Sequence, residues 1–376
     1  MESLTWKQAL AWRMARHHLV RRAPREEMLA VAARICGLHA QVMSSAELTL
    51  WARVDGLERD AVGKALWEDR SLVKLWAMRG TLHVLPAAEL GMWLAGLGTY
   101  RHYLKPGWLR NFEISREELD RLVDAIGAAL NGRLRTRAEL GAEVERLTGS
   151  PALGERLQHS WGPYLKPASF RGLLCFGPGE GPRVRFTRPD SWVPGGVGPV
   201  DPDDALRAIT RRYLGAFAPA TREDLARWWA VSPAAAGRML RALGDDAVEV
   251  DVEGEAAWML ADHAAEASRT KPGNVARLLP GFDQWVIGAS RSSPALLDPR
   301  NKARVYRPQG WISPVLVVNG RMEGVWRHDR TRRSLVVEIE PFGTTPKWVR
   351  TEASREARRL ADFMGGELDL RWADEG

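Results

Sequence analysis

The chain has 376 residues, with 54 lysines plus arginines, 47 aspartates plus glutamates and a formal net charge of +7. At about 150 residues per domain, this length predicts two or three domains, each with a buried core. The charged fraction of 27% and the hydrophobic fraction of 45% are typical of globular proteins and argue against a largely disordered chain. The sequence contains no run of about 18 apolar residues and no signal-peptide core at its start, so we expect a soluble cytoplasmic protein.

Arginine and tryptophan are unusually frequent. The eight lysines leave 46 arginines, and the 17 tryptophans outnumber the 5 tyrosines and 8 phenylalanines together. The planar, permanently charged guanidinium suits contacts with phosphates and base edges. Together with a pI near 9.7, this makes nucleic acid the leading class of partner. The only cysteines, Cys36 and Cys175, are too few for a disulfide framework or a zinc site, and we predict no metal.

The first 110 residues predict a group of helices followed by strands. Thr5 has the residue type of an N-cap, Pro24 fits the first turn of the next helix and Gly37 ends it. Ser44 or Ser45 is the predicted start of a third helix. The predicted segments are helices at 5–19, 24–37, 44–54 and 60–69, and strands within 72–84. Helices followed by a β-hairpin are typical of a winged-helix unit.

The same order of helices and strands recurs twice. A capping box starts one helix at Thr136, and Thr221 starts a similar one. The elements that follow these two starts are strands at 172–176 and 183–187, a helix at 232–243 and a hairpin at 248–260. Beyond Lys271 the prediction is strands at 305–306, 315–318, 324–326 and 335–339, closed by a helix at 352–363.

These patterns predict an α+β fold of three tandem winged-helix units followed by a C-terminal β-rich domain. The expected domains are 1–110, 111–200, 201–270 and 271–376. Segments of this kind often serve only for packing, but three of them in a basic, arginine-rich chain indicate binding of duplex DNA. One concave surface is enough to hold a duplex, so we expect a monomer.

Sequence motifs that occur in order along nearly the whole chain lie at 37–41, 45–54, 76–83, 278–285 and 314–321. They resemble those of the AlkZ/YcaQ-type winged-helix DNA glycosylases. The resemblance implies a C-shaped protein around duplex DNA that hydrolyses the N-glycosidic bond of N7-alkylated purines, without lyase activity and without a cofactor. It further implies substrates that include bulky antibiotic–guanine adducts or cross-links, and a nucleoid-associated enzyme of self-resistance or base excision repair.

The catalytic motif of this family is Gln–apolar–Gln in the AlkZ-like branch and ends in Asp in the YcaQ-like branch. Here it reads His39-Ala40-Gln41, so the last position matches the AlkZ-like branch and the first departs from its commonest form. The resemblance therefore implies that Gln41 and His39 are the catalytic residues.

Chemistry gives a reason for a neutral amide at this position. Hydrolysis of an N-glycosidic bond passes through an oxocarbenium-like sugar. Alkylation at N7 already places a positive charge on the purine, so departure of the base needs little acid catalysis. The carbonyl oxygen of Gln41 can accept a hydrogen bond from the attacking water. His39, if neutral, can accept a proton from that water, or it can instead bind the sugar-phosphate or orient Gln41.

Other residues are candidates for supporting roles. Asp283, in the 278–285 motif, is either an electrostatic partner of the sugar cation or a carboxylate that caps a turn or helix. A set of arginines is predicted to contact DNA, although each can instead lie on a solvated or structural face. These are Arg13, Arg16, Arg21, Arg22, Arg53, Arg79, Arg304 and Arg307. The last two belong to the segment 304–311, which forms either a hairpin that enters a groove or a buried turn.

Two other classes of function remain open from sequence. A non-catalytic DNA-binding regulator would bind duplex DNA without producing strand breaks after alkali. A protein-interaction module would show no salt-sensitive binding of duplex DNA.

Overall fold

The computed structural model describes residues 2–159 and 162–373, and it has a mixed α+β fold. In the first half of the chain, the α-helices are α1 (Trp6–Arg16), α2 (Met28–Arg34), α3 (Met43–Trp51), α4 (Ala61–Trp67), α5 (Leu90–Leu97), α6 (Pro106–Asn111), α7 (Arg116–Ala129), α8 (Arg137–Thr148), α9 (Pro151–His159), α10 (Lys166–Phe170) and α11 (Pro189–Trp192). The second half contributes α12 (Pro202–Phe217), α13 (Arg222–Trp229), α14 (Pro233–Arg241), α15 (Ala261–Arg269), α16 (Gln284–Gly288), α17 (Lys302–Val305) and α18 (Lys347–Met364).

The strands are short except in the C-terminal region. They are β1 (Glu2–Leu4), β2 (Leu38–His39), β3 (Leu72–Trp76), β4 (Leu82–Pro86), β5 (Arg135–Thr136), β6 (Cys175–Glu180), β7 (Arg183–Thr187), β8 (Ala247–Val252), β9 (Glu255–Leu260), β10 (Ala276–Leu279), β11 (Val315–Val318), β12 (Arg321–Arg330), β13 (Ser334–Pro341) and β14 (Glu367–Trp372).

The chain forms two compact units, one of residues 1–61 and 210–376 and the other of residues 62–209. The first unit contains a five-stranded sheet in the order β10-β11-β12-β13-β14, antiparallel except for the parallel pair β13–β14. Its buried face packs on α18 and on side chains of α1, α3 and α16. A second sheet in this unit has the order β1-β8-β9, in which the N-terminal strand pairs in parallel with β8.

The second unit contains the antiparallel pair β3–β4 and a three-stranded sheet in the order β5-β7-β6. The chain order around this sheet is α7, β5, α8, α9, β6 and β7. Capping boxes with Ser115 and Thr136 as N-caps start α7 and α8. Helices α8 and α9 approach closely, because a Cβ added to Gly141 would lie 2.9 Å from the carbonyl oxygen of Gly154.

The helix starts predicted at Thr5, Thr136 and Thr221 are confirmed, since each residue is an N-cap with a complete capping box. The first helix ends at Arg16 rather than near Leu19, and His18 has a left-handed φ of 54°. Local sequence did not indicate this break.

Three other boundaries differ from the prediction. Helix α3 begins at Met43, before either predicted serine, and its N-cap Val42 makes no side-chain cap. The predicted strand at 305–306 is wrong, because Val305 ends helix α17 and Tyr306 forms only an isolated bridge to Ile312. The first of the two strands around 175–187 starts at Cys175 and not at residue 172, where a glycine has a left-handed φ of 72°.

Candidate functional site

The His39-Ala40-Gln41 motif lies in the first unit, in the short connection between α2 and α3. Gly37 has a φ of 81° and turns the chain into β2. Leu38 and Ala40 are fully buried and His39 is only 5% exposed, whereas the Gln41 side chain is exposed. The buried side chains of residues 38 to 40 fix the backbone of the motif, and the Gln41 side chain is accessible to a substrate that approaches from solvent.

An aromatic ring holds the imidazole of His39 in one orientation. The rings of His39 and Phe282 are stacked, with centroids 5.0 Å apart and an angle of 6° between their planes. Phe282 is 7% exposed and has a left-handed φ of 59°. A non-glycine residue adopts this conformation at a cost of about 1–2 kcal/mol, so surrounding contacts must hold it there.

Helix α16, which follows Phe282, also holds the backbone just before the motif. The side-chain amide of Gln284 donates a hydrogen bond of 2.7 Å to the carbonyl oxygen of Gly37. Gln284 is 1% exposed, so water does not compete for this bond. From the sequence, Gln284 and Phe282 are recognisable only as members of a family motif, because no local pattern reveals the contact of Gln284 with Gly37 across 247 residues.

Beneath this helix lies a fully buried ion pair between Arg53 and Asp283. Two guanidinium nitrogens of Arg53 donate to the two carboxylate oxygens at 2.8 and 2.7 Å, and both side chains are 0% exposed. Asp283 is also the N-cap of α16 and accepts from the backbone N–H of Trp285 at 2.7 Å. Arg53 donates in addition to the carbonyl oxygen of Thr49 at 2.9 Å. The pair therefore joins the end of α3 to the start of α16.

His17 completes this buried network as a neutral imidazole. Its Nδ1 lies 3.4 Å from Arg53 Nη2 and its Nε2 lies 2.9 Å from the carbonyl oxygen of Ala216. A guanidinium can only donate, so Nδ1 accepts and the ring proton sits on Nε2, which donates to Ala216. Burial lowers the pKa of His17 well below its ordinary value, and the positive charges of Arg53 and Arg13 lower it further.

The burial of Arg53 and Asp283 argues against the direct contacts with DNA and with the sugar cation that were predicted for them. A DNA contact by Arg53, or a direct contact of Asp283 with the sugar cation, would require a side chain that is enclosed here to reach solvent. The alternative for Asp283, a carboxylate that caps a helix, is the geometry observed.

Two arginines of the N-terminal basic run are also engaged inside the protein. Arg13 is 3% exposed and donates to the carbonyl oxygens of Ala218 and Pro219 at 3.2 and 3.1 Å. Burial lowers the pKa of Arg13 to about 10. Arg22 pairs with Glu356 through contacts of 2.5 and 2.6 Å, with only 12% of its side chain exposed. Neither guanidinium is presented to a phosphate in this conformation.

Other predicted DNA contacts lie nearer to solvent. Arg21 and Arg307 are exposed, and Arg16 is half-buried, with Nε donating to the carbonyl oxygen of Gly215 at 3.4 Å. Arg304 pairs with Glu340. Arg79 belongs to the second unit, where it is half-buried with a φ of 58° in the turn between β3 and β4.

A basic hairpin was not predicted from the sequence. Strands β12 and β13 meet at a turn with the exposed arginines Arg330, Arg332 and Arg333, and Arg327 is exposed nearby on β12. The signal that identifies this turn is the run Arg330-Thr331-Arg332-Arg333 between two alternating strands.

Features expected of other kinds of site are not found in the described residues. In residues 2–159 and 162–373, no group of three or more His, Cys, Asp or Glu side chains is arranged to hold a metal ion. Over the same ranges, every helix is too short or too polar to cross a bilayer. The first unit has a cavity of about 1050 Å³ beside α1 and β11, but none of the predicted site residues lines it.

Breaking the Arg53–Asp283 pair should strongly destabilise the protein. Asp283→Asn or Arg53→Met leaves one buried charge without its partner, and we expect each change to lower the free energy of unfolding by about 3–5 kcal/mol. The exposed Arg327–Glu338 pair, with a contact of 2.7 Å, is the control, and Arg327→Met should cost less than about 1 kcal/mol. Urea unfolding measures all three variants, and equal losses for Arg53→Met and Arg327→Met would contradict the structural role of the pair.

His17 should make the protein less stable in acid. In the unfolded chain its imidazole binds a proton below about pH 6.5, whereas the folded protein keeps it neutral, so the unfolded state binds more protons and stability falls as pH decreases from 7 to 5. A glutamine at this position can make both hydrogen bonds without titrating. Unfolding of His17→Gln between pH 5 and 7.5 should therefore show a shallower dependence on pH than the unaltered protein, and parallel curves would exclude this origin.

The comparisons with known proteins agree with the motif resemblance. Residues 32–363 match the family described as DNA glycosylase AlkZ-like. An interstrand DNA cross-link repair glycosylase of Streptomyces sahachiroi is 37% identical over 367 residues, which are 96% of this chain and 97% of the relative. The solved structure of Streptomyces sahachiroi DNA glycosylase AlkZ matches with a TM-score of 0.90 and 37% identity, covering 99% of this chain and 100% of that one. The chain belongs to the AlkZ-like DNA glycosylase family and is an enzyme that acts on DNA.

Proposed function

We propose that this glycosylase hydrolyses the N-glycosidic bond of N7-alkylated purines in duplex DNA, and that bulky adducts and interstrand cross-links are among its substrates. The relative from Streptomyces sahachiroi carries the name of a cross-link repair glycosylase, which supports this substrate class. The observation that carries the proposal is the placement of Gln41: its side chain is exposed, while the motif residues around it are buried and held by Phe282 and Gln284.

In the proposed reaction, water adds to C1′ of the damaged nucleotide as the bond from C1′ to N9 breaks. The electron pair of that bond neutralises the cationic purine, which leaves as a neutral alkylated base. The Gln41 carbonyl oxygen accepts a hydrogen bond from the water and aims it at C1′. The proton lost by the water goes to His39. The motif from 37 to 41 offers no amine nucleophile, which supports a hydrolase without lyase activity.

A neutral amide also sets the selectivity of the reaction. It is a weaker base than a carboxylate, so it gives little help to the departure of an uncharged purine. The positive charge of an N7-alkylated base removes most of that need. We infer that intact guanine and adenine remain in the DNA because the enzyme does not protonate them.

For the fold, we propose three tandem winged-helix units at 1–110, 111–200 and 201–270 and a β-rich domain at 271–376. The order of helices and strands from α7 to β7 supports the second winged-helix unit, at 111–200. Helices α13 and α14 and the β8–β9 hairpin support the third, at 201–270. Exposed arginines such as Arg21, Arg307 and those of the β12–β13 turn would neutralise phosphates. We further propose that the enzyme acts as a monomer on the nucleoid in the cytoplasm.

Gln41→Ala should abolish base release and preserve DNA binding. Loss of the group that positions the water should lower the single-turnover rate on a duplex with N7-methylguanine by about 100-fold or more, measured as alkali-dependent strand breaks. Anisotropy with undamaged duplex should give an unchanged affinity. Gln158→Ala, at an exposed position of α9, is the control and should cut normally. Full activity of Gln41→Ala would refute the assignment.

His39→Gln should retain activity and lose a dependence on pH. An imidazole accepts a proton only in its neutral form, so the rate of the unaltered enzyme should fall once the solution is acidic enough to protonate His39. A glutamine restores the commonest form of the family motif and does not titrate. We expect the variant to stay within about ten-fold of the original rate at pH 7.5. Rates at several pH values, corrected for spontaneous depurination, make the comparison, and a flat profile for the unaltered enzyme would exclude His39 as the proton acceptor.

A further inference from the structure

Trp311 is an exposed aromatic side chain close to the catalytic motif. It is 53% exposed, and no other tryptophan, tyrosine or phenylalanine side chain in residues 2–158 and 162–373 is exposed to this degree. The remaining exposed large hydrophobic side chains in those ranges are aliphatic. An exposed indole gives up the stabilisation that burial would provide, so its exposure favours a role in binding over a role in folding.

A rigid turn presents this indole to solvent. The backbone N–H of Arg307 donates to the carbonyl oxygen of Trp311 at 2.8 Å. The N–H of Trp311 donates to the carbonyl oxygen of Pro308 at 3.3 Å. Gln309 and Gly310 have left-handed φ values of 59° and 77°. The strained backbone at Gln309 persists because the turn is closed by these bonds.

Buried residues anchor the base of the turn. Ile312 is 4% exposed and Val305 is fully buried. The backbone N–H of Ser313 donates to the carbonyl oxygen of Val305 at 2.9 Å, and the Ser313 hydroxyl donates to that of Arg304 at 2.8 Å. The segment from 304 to 311 is therefore a turn with an exposed tip, whereas the sequence was compatible with either a hairpin that enters a groove or a buried turn.

Three aromatic rings connect this turn to the motif. The Trp311 and Phe282 rings meet edge to face, with centroids 5.0 Å apart and an interplanar angle of 79°. Phe282 in turn stacks on His39 with the same centroid spacing. The indole thus lies within two ring spacings of the imidazole, and an exposed arginine, Arg307, stands on the same turn.

We propose that Trp311 recognises the lesion by stacking its indole on the cationic N7-alkylated purine, an inference that rests on the proposed function. An indole binds a planar cation better than a neutral base, because the electron-rich ring face attracts positive charge. Stacking on a base inside the duplex requires that the base be partly unstacked from its neighbours, which costs least at a damaged site. Arg307 contributes a phosphate contact that does not depend on the lesion.

The test measures binding to a lesion that the enzyme cannot hydrolyse. A 2′-fluoro sugar on the N7-methylguanosine disfavours the oxocarbenium-like state, so affinity is measured without base release. Affinities for this duplex and for the undamaged duplex are compared for the unaltered enzyme, Trp311→Phe, Trp311→Ala and Arg307→Ala. Trp311→Ala should weaken binding of the lesion duplex about ten-fold or more and change binding of the undamaged duplex less than two-fold, with Trp311→Phe between the two.

Arg307→Ala is the matched control on the same turn and should weaken both duplexes equally, with a smaller dependence on salt. Equal weakening of both duplexes by Trp311→Ala, unchanged affinity for both, or an unaltered enzyme without preference for the lesion would each overturn the proposal. Unfolding of Trp311→Ala excludes a folding defect. The proposed function is tested separately on the unfluorinated duplex, where absence of base release by the unaltered enzyme contradicts hydrolysis and leaves the binding comparison valid.

Discussion

The buried ion pair between Arg53 and Asp283 fixes the geometry on which the candidate catalytic motif His39-Ala40-Gln41 depends. Its two residues are 230 positions apart in the chain and both are completely enclosed. A charge in that interior is tolerated only when its partner is present with good geometry, so any shift of α16 relative to α3 would leave two charges unmatched. Because α16 also carries Gln284, and Phe282 precedes it, the same constraint sets where the Gly37 carbonyl and the His39 ring lie.

In the network around this pair, each group acts as a hydrogen-bond donor or acceptor in only one compatible way. Arg53 needs acceptors and finds them in Asp283, in the carbonyl of Thr49 and in Nδ1 of His17. That contact excludes a proton on Nδ1, which leaves Nε2–H to donate to a backbone carbonyl. Titration of His17 would place a second positive charge next to Arg53, so the neutral form is part of the fold and is not available as an acid in the reaction.

The features that were predicted correctly from the sequence are those determined by residues close together in the chain. The capping boxes at Thr136 and Thr221 depend on residues three apart, and both formed as expected. Whether an arginine faces DNA or the interior depends on partners hundreds of residues away, and here Arg13 and Arg22 turned inward. The same reason explains why Gln284 was not identified, since its partner lies across 247 residues. The match of Gln41 to the family motif was readable from the sequence, but its exposure was not.

Phosphate contacts and base recognition contribute differently to this enzyme's selectivity. In the proposed complex, arginines on exposed turns would strengthen binding to every duplex alike, because the phosphate backbone is the same at damaged and undamaged sites. Discrimination must come from groups that sense the altered base. In the proposed reaction, the neutral amide of Gln41 discriminates in the chemical step, because only a positively charged purine leaves without being protonated. An indole next to the motif would sense the same charge before the bond breaks, so one property of the lesion, its positive charge, would be used twice, in binding and in hydrolysis.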